Sequence, residues 1–232
     1  MHEHISKQFD AELESVRSRV LQMGGLVEEQ ILRAVEALDT GDMERIEKTI
    51  ADDHRVNALE VGLDEACVHI IARRQPASGD LRLLITVIKT ITDLERIGDE
   101  AEKIGRMAKL IHGAGRQHMP RMDMSHVADR ALAMLRQSLD AFARLDIGEA
   151  MGVVKQDEAV DDEFRAIMRQ LITFMMEDPR TITRSLEILF IAKAIERIGD
   201  HAKNMAEYVI YMVKGRDVRH VSIDEMEKEI LE

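Results

Sequence analysis

One five-residue segment occurs twice in this chain of 232 residues, and this repetition restricts the fold more than any other feature. Glu95-Arg96-Ile97-Gly98-Asp99 recurs unchanged as Glu196-Arg197-Ile198-Gly199-Asp200. Two earlier pairs of segments match in the same order: Leu38–Asp42 with Leu145–Glu149, and Asp53–Asn57 with Asp157–Asp161. Three matches in one order indicate an internal duplication, so we expect two similar structural units.

The spacing of the apolar residues predicts that both units are helical. In the first stretch they recur every three or four positions, as in Phe9, Leu13, Val16 and Val20, which is typical of an amphipathic helix, here over about 5–39. The same pattern predicts a second helix that ends near 74 and further helices over about 80–112, 125–145, 147–177 and 181–214. Helices about 50 Å long that are joined by short turns must lie antiparallel. We therefore predict an all-α fold of two pseudo-symmetric antiparallel three-helix bundles with six long helices.

Breaks in this pattern set the predicted boundaries. Residues 1–112 form the first three-helix repeat, and residues 113–124, which contain two glycines and a proline, form a linker. Residues 125–215 form the second repeat, and residues 216–232 form an acidic C-terminal tail. Within the tail, Ser222-Ile223-Asp224-Glu225 is a capping-box sequence that could begin a short helix.

The composition excludes several classes of protein. The chain carries 32 basic and 44 acidic side chains, a net charge of 32 − 44 = −12, and an acid excess repels nucleic acid. A single cysteine cannot form an intramolecular disulfide, which favours a reducing compartment. The N-terminus lacks the apolar run of a signal peptide, and no stretch approaches the roughly 20 apolar residues of a membrane span. We expect a cytoplasmic protein that binds no nucleic acid and does not insert into a membrane.

Rows of carboxylates are the candidate functional feature. Glu196 and Asp200 are four residues apart, so both leave one face of a helix, and Asn204 extends that face. Like charges at this spacing destabilise a helix by a few tenths of a kcal/mol, so their presence in both units suggests that a cation offsets them. Oxygen ligands suit hard cations such as Mg²⁺, Ca²⁺ or Mn²⁺ and carboxylate-bridged iron, and Zn²⁺ is also considered. The candidate ligands are Asp53, Asn57, Glu95, Asp99, Asp157, Asp161, Glu196, Asp200 and Asn204.

Two glycines inside predicted helices support this interpretation. Gly98 and Gly199 each stand beside a carboxylate pair, and a glycine inside a helix costs about 1 kcal/mol relative to alanine. We infer that the missing side chain allows a close approach to a neighbouring helix. The second and third helices would then share one site, and the fifth and sixth helices the other.

The alternative is a solvated charged face in which the acids pair with Arg96, Lys103, Arg197 and Lys203. We expect His201 to lie on the surface, because it points away from the carboxylate row. Five methionines are expected to fill the core: Met168, Met175, Met176, Met205 and Met212. The sequence contains neither a phosphate-binding Gly-rich loop with Lys nor a His-Glu-x-x-His motif, and we predict that the chain is not an enzyme.

Several motifs together resemble the PhoU family of bacterial phosphate-uptake regulators across essentially the whole chain. They are the repeated Glu-Arg-Ile-Gly-Asp, the turn Arg74-Gln75-Pro76, the run Phe174–Ile182, the run Glu196–Tyr208 and the segment Arg216–His220. The resemblance implies two three-helix bundles with a pseudo-twofold axis. It also implies metal binding, seen in some members, at Glu95 with Asp99, Asp157 with Asp161 and Glu196 with Asp200. Asp53 with Asn57 departs from the acidic pattern, so that site would bind more weakly or hold fewer ions.

The resemblance further implies a cytoplasmic homodimer. Such a protein would act as an adaptor between the ATPase subunit of the phosphate ABC transporter and a phosphate-sensing histidine kinase, and would keep the phosphate-starvation response off. The alternative from the residues alone is a carboxylate-bridged metal protein that buffers ions or carries out redox chemistry.

Overall fold

The computed structural model describes residues 7–113, 120 and 122–231, with side chains up to 228. The described part is helical, as predicted, and six of its helices are long. They are α1 (Lys7–Thr40), α2 (Met43–Arg74), α3 (Ser78–Gly113), α4 (Ser125–Arg144), α5 (Ile147–Glu177) and α6 (Ile182–Lys214), followed by the short α7 (Ile223–Leu231). A 3₁₀ turn, Pro179–Thr181, joins α5 to α6.

The turns between the first two helices of each unit are built alike. Gly41 (φ +74°) and Leu145 (φ +57°) are left-handed residues that end α1 and α4. Asp42 and Asp146 then cap α2 and α5: Asp42 Oδ1 accepts from the amide of Glu44 at 3.0 Å, and Asp146 Oδ1 accepts from the amide of Glu149 at 3.0 Å.

The match of Leu38–Asp42 with Leu145–Glu149 is therefore wrong by three residues. The structure aligns Asp42 with Asp146, because both cap a helix, whereas the sequence match had aligned Asp42 with Glu149. The Asp of the motif Leu-Asp-x-Gly-acid is Asp39 in the first unit, where it still belongs to α1. In the second unit it is Asp146, which caps α5. The duplication itself does not depend on this match, since the carboxylate segments of α2 and α5 and of α3 and α6 still correspond.

The two units pack side by side through their third helices. Helices α1, α2 and α3 form one bundle and α4, α5 and α6 the other, with α3 against α6 and α1 against α4. Arg184 near the start of α6 donates to the carbonyl of Leu110 near the end of α3 at 3.4 Å, so these helices are antiparallel. The predicted fold of two antiparallel three-helix bundles is confirmed, and α2 and α5 lie at the outer edges.

The segments outside the six long helices are partly described. Of the predicted linker 113–124, Gly113 still belongs to α3, residues 114–119 and 121 lie outside the described residues, and Met124 is buried. The predicted short helix in the tail is confirmed as α7: Ser222 Oγ accepts from the amide of Glu225 at 3.3 Å, and Glu225 Oε2 accepts from the amide of Ser222 at 3.2 Å. No helix in the described ranges is both long and apolar enough to span a membrane.

The contact between α1 and α4 depends on Gly24. A Cβ atom there would lie 2.6 Å from Leu139 Cδ2, and Leu139 is itself buried. We expect Gly24→Val to destabilise the protein by about 1–3 kcal/mol, because the added methyl groups overpack this contact. At Gly25 next to it, no atom outside the adjoining helix backbone lies within 4 Å of the Cβ position, and Gly25→Val should change stability by less than about 0.5 kcal/mol. Urea unfolding of both variants checks this, and equal stabilities would contradict it.

Candidate metal centre

Gly98 and Gly199 both face the outer helix of their own unit. A Cβ atom at Gly98 would lie 3.3 Å from Val56 Cγ1 of α2, and one at Gly199 would lie 3.4 Å from Val160 Cγ1 of α5. The distance at Gly98 is shorter than a normal van der Waals contact, and the distance at Gly199 is normal. A methyl group would therefore just fit at Gly199, and a larger side chain would not. The glycines thus bring α3 close to α2, and α6 close to α5, beside the carboxylates.

Three carboxylates converge in the second unit. Asp161 of α5 and Glu196 and Asp200 of α6 each offer one oxygen, and these oxygens all lie within 4.8 Å of one another. One cation bound to all three oxygens would hold them at such separations. Glu196 is buried and the other two are partly buried, so the set lies in a recess of the helix pair.

The electrostatics of this recess favour a cation. The pKa of Asp200 is raised to about 6, chiefly by burial and then by the charges of Glu196 and Asp157. Lys193 reduces this effect, and its Nζ donates to both oxygens of Glu196 at 2.5 Å. The ammonium group of Lys193 therefore stands where a metal ion would compete with it for Glu196.

Two predicted ligands of this unit have other partners in the structure. Asp157 Oδ2 accepts from Lys203 Nζ at 2.6 Å. Asn204 Nδ2 donates to Asp93 Oδ1 of α3 at 3.2 Å, so its amide spans the two units. The set that the structure brings together is thus Asp161, Glu196 and Asp200.

In the first unit, the oxygens of the predicted ligands Asp53 and Asn57 have a different arrangement. Asn57 Nδ2 donates to Asp53 Oδ2 at 3.1 Å, so the asparagine binds the adjacent acid on its own helix. Three buried oxygens there have no hydrogen-bond partner: Asp53 Oδ1, Asn57 Oδ1 and Gln30 Oε1. Such oxygens are rare in folded proteins, and a bound cation or water would satisfy them. Gln30 of α1 was not selected from the sequence, because a single glutamine carries no pattern.

Glu95 and Asp99 lie close enough to Asp53 to interact with it electrostatically. Burial raises the pKa of Glu95, and the charges of Asp99 and Glu60 raise it further. Burial also raises the pKa of Asp99, and the charge of Glu102 raises it further. Within the described ranges their oxygens do not converge as closely as those of Asp161, Glu196 and Asp200.

A change between the repeats distinguishes the two sites. Aligning the repeated pentapeptide places Glu102 of the first unit where the second unit has Lys203. Glu102 raises the pKa of Asp53, after burial, whereas Lys203 forms an ion pair with Asp157. The first site therefore has an acid where the second has a base, and this acid is itself paired with Arg106 at 2.6 Å.

The predicted pairing of the acids with basic neighbours holds only in part. Arg96 lies 3.7 Å from Glu95, and Lys203 pairs with Asp157. Arg197 instead pairs with Glu100 of the other unit at 2.5 Å, and Lys103 pairs with the same Glu100 at 3.3 Å. Asp161 pairs with Arg165 at 3.3 Å, so the alternative of a paired face fits this residue, but it does not describe Asp200, which lies beside Glu196.

Two expectations about single residues are wrong. The side chain of His201 is only 15% exposed and its Nδ1 lies 2.6 Å from Asp93 Oδ1, because α3 covers the side of α6 that carries it. Met205 and Met212 are buried as expected, but Met176 is 79% exposed, because it lies at the end of α5 beyond the core.

A cavity of about 540 Å³ opens beside Asp200, between α6 and the tail. Arg197, Lys203 and Arg219 line it, and each has an acidic partner in Glu100, Asp157 and Asp217 respectively. These cations are therefore not free to bind an anion. Glu207 also lines the cavity, and burial raises its pKa to about 7.

The residues present fit a hard cation. Asp161, Glu196 and Asp200 would hold it in the second unit, and Asp53 with the oxygens of Asn57 and Gln30 in the first. A bound ion would supply positive charge that the clustered acids lack, and as a Lewis acid it could polarise a bound oxygen ligand. The residues themselves hold these carboxylates close together in a partly buried recess, which keeps the pKa of Asp200 above its ordinary value.

Comparison with known proteins gives a consistent result. The PhoU domain model matches residues 20–108 and again residues 124–209, once in each unit. The chain is 47% identical to the phosphate-specific transport system accessory protein PhoU homolog of Pseudomonas aeruginosa, over 98% of this chain and 94% of the relative. It is 48% identical to the accessory protein PhoU of Escherichia coli strain K12, with the same coverage.

Solved structures agree with these relatives. The crystal structure of PhoU from Pseudomonas aeruginosa superposes with a TM-score of 0.86 and 47% identity, over 90% of this chain and all of that one. The phosphate transport system regulatory protein PhoU from Streptococcus pneumoniae superposes with a TM-score of 0.84 and 28% identity, over 90% of this chain and 99% of that one. The double match, the identity along nearly the full length and the shared architecture together show that this chain belongs to the PhoU family.

Proposed function

We propose that this chain is an accessory protein that regulates a phosphate transport system. The observation that carries the proposal is its identity of 47–48% over 98% of its length with proteins named phosphate-specific transport system accessory proteins. The structure named a regulatory protein in Streptococcus pneumoniae has the same fold. At this identity and coverage, a role shared with these relatives is the simplest interpretation.

We further propose that the protein acts as an adaptor and not as an enzyme. It would work in the cytoplasm as a homodimer, contact the ATPase subunit of the phosphate ABC transporter and a phosphate-sensing histidine kinase, and keep the phosphate-starvation response off. An adaptor needs a rigid body with separate exposed surfaces. Two bundles joined along α3 and α6 supply such a body, in support of this role.

A deletion strain tests this function. Removing the coding sequence should switch on a phosphate-starvation reporter in phosphate-rich medium, and returning the wild-type sequence should switch it off again. A reporter that stays fully repressed in the deletion strain would overturn negative regulation. Affinity purification of the tagged protein at high and low phosphate tests the ATPase subunit and the kinase as partners, and sedimentation velocity tests the dimer.

A second candidate function is metal handling by the carboxylate sites, as an ion buffer or a redox centre. It is favoured by the convergence of Asp161, Glu196 and Asp200 within 4.8 Å. Elemental analysis and optical spectra of the purified protein test it. A protein that contains no metal and cannot be reconstituted with Mg²⁺, Mn²⁺, Fe²⁺, Zn²⁺ or Ca²⁺ would rule it out.

A further inference from the structure

The buried oxygens of the first unit that have no hydrogen-bond partner are fixed in place by the atoms bonded beside them. Gln30 of α1 is fully buried, and its Nε2 donates to the carbonyl of Thr49 at 3.2 Å. Asn57 of α2 donates its Nδ2 to Asp53 Oδ2 at 3.1 Å. Both amide nitrogens are therefore satisfied, and the atoms left without a partner are Gln30 Oε1, Asn57 Oδ1 and Asp53 Oδ1. A group of free acceptors requires a donor or a cation and would repel an anion.

Two of these oxygens approach the same point of α3. A Cβ atom at Gly98 would lie 3.4 Å from Gln30 Oε1 and 3.6 Å from Asp53 Oδ1. Because Gly98 has no side chain, the space between the two oxygens and α3 stays open. One oxygen comes from α1 and the other from α2, so the group is formed by helices that are distant in sequence.

Two acids beside these oxygens lack a basic partner. Asp53 and Asp99 form no ion pair with any residue in the part of the chain that the structure describes. Burial raises the pKa of each carboxyl, followed by the charge of Glu102. Arg96 and Arg197 lower the pKa of Asp99, but they do not outweigh these effects. A bound cation would supply the missing positive charge.

The second unit has a methionine in the place of Gln30. A Cβ atom at Gly199 would lie 3.6 Å from Met134 Sδ of α4, and Met134 is fully buried. A valine of the outer helix lies beside each of the two glycines, so Gln30 and Met134 occupy equivalent positions in the two units. A thioether sulfur is a soft donor that does not suit a hard cation. Helix α4 therefore has no counterpart to the amide oxygen of α1 at this position.

We propose that Gln30 is a ligand for a hard divalent cation in the first unit, through its Oε1 and together with Asp53 and Asn57. Helix α1 thereby takes part in the first site, whereas α4 takes no part in the second, so the two sites of the duplicated chain are chemically unequal. The inference rests on metal binding by the carboxylate sites, which is the second candidate function, and it is independent of the regulatory role.

Binding of Mn²⁺ to the full chain after EDTA treatment, followed by the electron paramagnetic resonance signal of the free ion, tests the role of Gln30. The background variant Asp200→Asn weakens the second site, so the binding that remains belongs to the first unit. In this background Gln30→Met, which installs the residue of the equivalent position, should weaken binding by about tenfold or more. Gln22→Met, at an exposed glutamine of the same helix, is the matched control and should stay within about twofold of the background.

The variant Gln30→Glu separates a ligand from a packing role, because it keeps an oxygen at the same position and should bind Mn²⁺ at least as tightly as the background. Circular dichroism establishes that each variant keeps its helical content.

Unchanged binding by Gln30→Met would overturn the inference alone, because the amide oxygen would then accept from water or from a protonated Asp53. Weaker binding by both Gln30 variants would also overturn it, since the site would then need the amide nitrogen and not the oxygen. A wild-type chain that binds no Mn²⁺ would overturn this inference together with the metal function.

Discussion

Asp200→Asn should stabilise the metal-free protein near pH 7.5 and remove most of the stabilisation that a bound metal ion provides. In the wild-type chain, burial raises the pKa of this carboxyl to about 6, followed by the charges of Glu196 and Asp157. Its ionisation at pH 7.5 therefore weakens the fold, by about 1–2 kcal/mol after allowance for its partial exposure. A neutral amide removes this repulsion but is a poorer ligand for a hard cation.

The pH dependence follows from the sign of the shift. A carboxyl with a raised folded pKa binds its proton more tightly in the folded chain, so its contribution to stability falls as pH rises. The change begins near the ordinary value of 3.8 and is complete above about 6. Wild type and Asp200→Asn should therefore have similar stabilities at pH 4 and diverge between pH 4 and pH 7, with the variant the more stable.

Added metal should reverse this order. A ligand at a hundred times its dissociation constant stabilises the folded state by about 2.7 kcal/mol, which raises the Tm of a chain of this size by about 5–10 °C. The variant should lose most of that shift. Asp140→Asn, at an exposed carboxylate on α4 away from the site, is the matched control and should behave as wild type.

Thermal unfolding with a series of divalent cations and in excess EDTA measures both effects. If wild type and Asp200→Asn respond equally to every cation, the converging carboxylates are not a metal site. If Asp200→Asn destabilises the EDTA-treated protein at pH 7.5, the assignment of repulsion at this carboxyl is wrong.

Asp93→Ala should have the largest effect on stability of any change at the boundary between the units. Asp93 of α3 is 7% exposed and accepts from His201 Nδ1 at 2.6 Å and from Asn204 Nδ2 at 3.2 Å, both on α6. Burial raises the pKa of Tyr208, and the charge of Asp93 raises it further, so Tyr208 belongs to the same group. Removing the acceptor leaves these partly buried donors without this partner, and we expect a loss of about 3 kcal/mol.

Differential scanning calorimetry of Asp93→Ala and Asp93→Asn tests this expectation. At about 2–4 °C per kcal/mol, the alanine variant should unfold roughly 10 °C below wild type. Asp93→Asn, which keeps an acceptor oxygen, should lose less. Asp64→Ala on the exposed side of α2 is the control. An unchanged Tm in Asp93→Ala would show that this polar group contributes little to the contact between α3 and α6.

The sequence anticipated the helices better than the turns. Apolar spacing located α5 and α6 within a residue or two, because one side of each helix is buried over its whole length. The turn motif Leu-Asp-x-Gly-acid aligns the two units wrongly by three residues, because a helix cap requires only one side-chain oxygen at one position. Asp42 and Asp146 meet that need from different places in the motif.

Helical spacing predicts which side chains of one helix lie together, but it does not predict the contacts between helices. Helical spacing correctly placed Glu196 and Asp200 together, since residues four apart share a face. It could not show that Asn204 donates to Asp93 or that Gln30 and Asp53 both bring an unsatisfied oxygen close to Gly98, because those contacts join different helices.

For this protein, the sequence by itself determined the helical class, the duplication and the family, because periodicity and motif identity are local properties of the chain. Only the tertiary structure decided which carboxylates converge and that His201 packs against Asp93. These depend on how the helices are rotated and placed against one another. That arrangement arises from the packing of the whole core, which no single helix encodes.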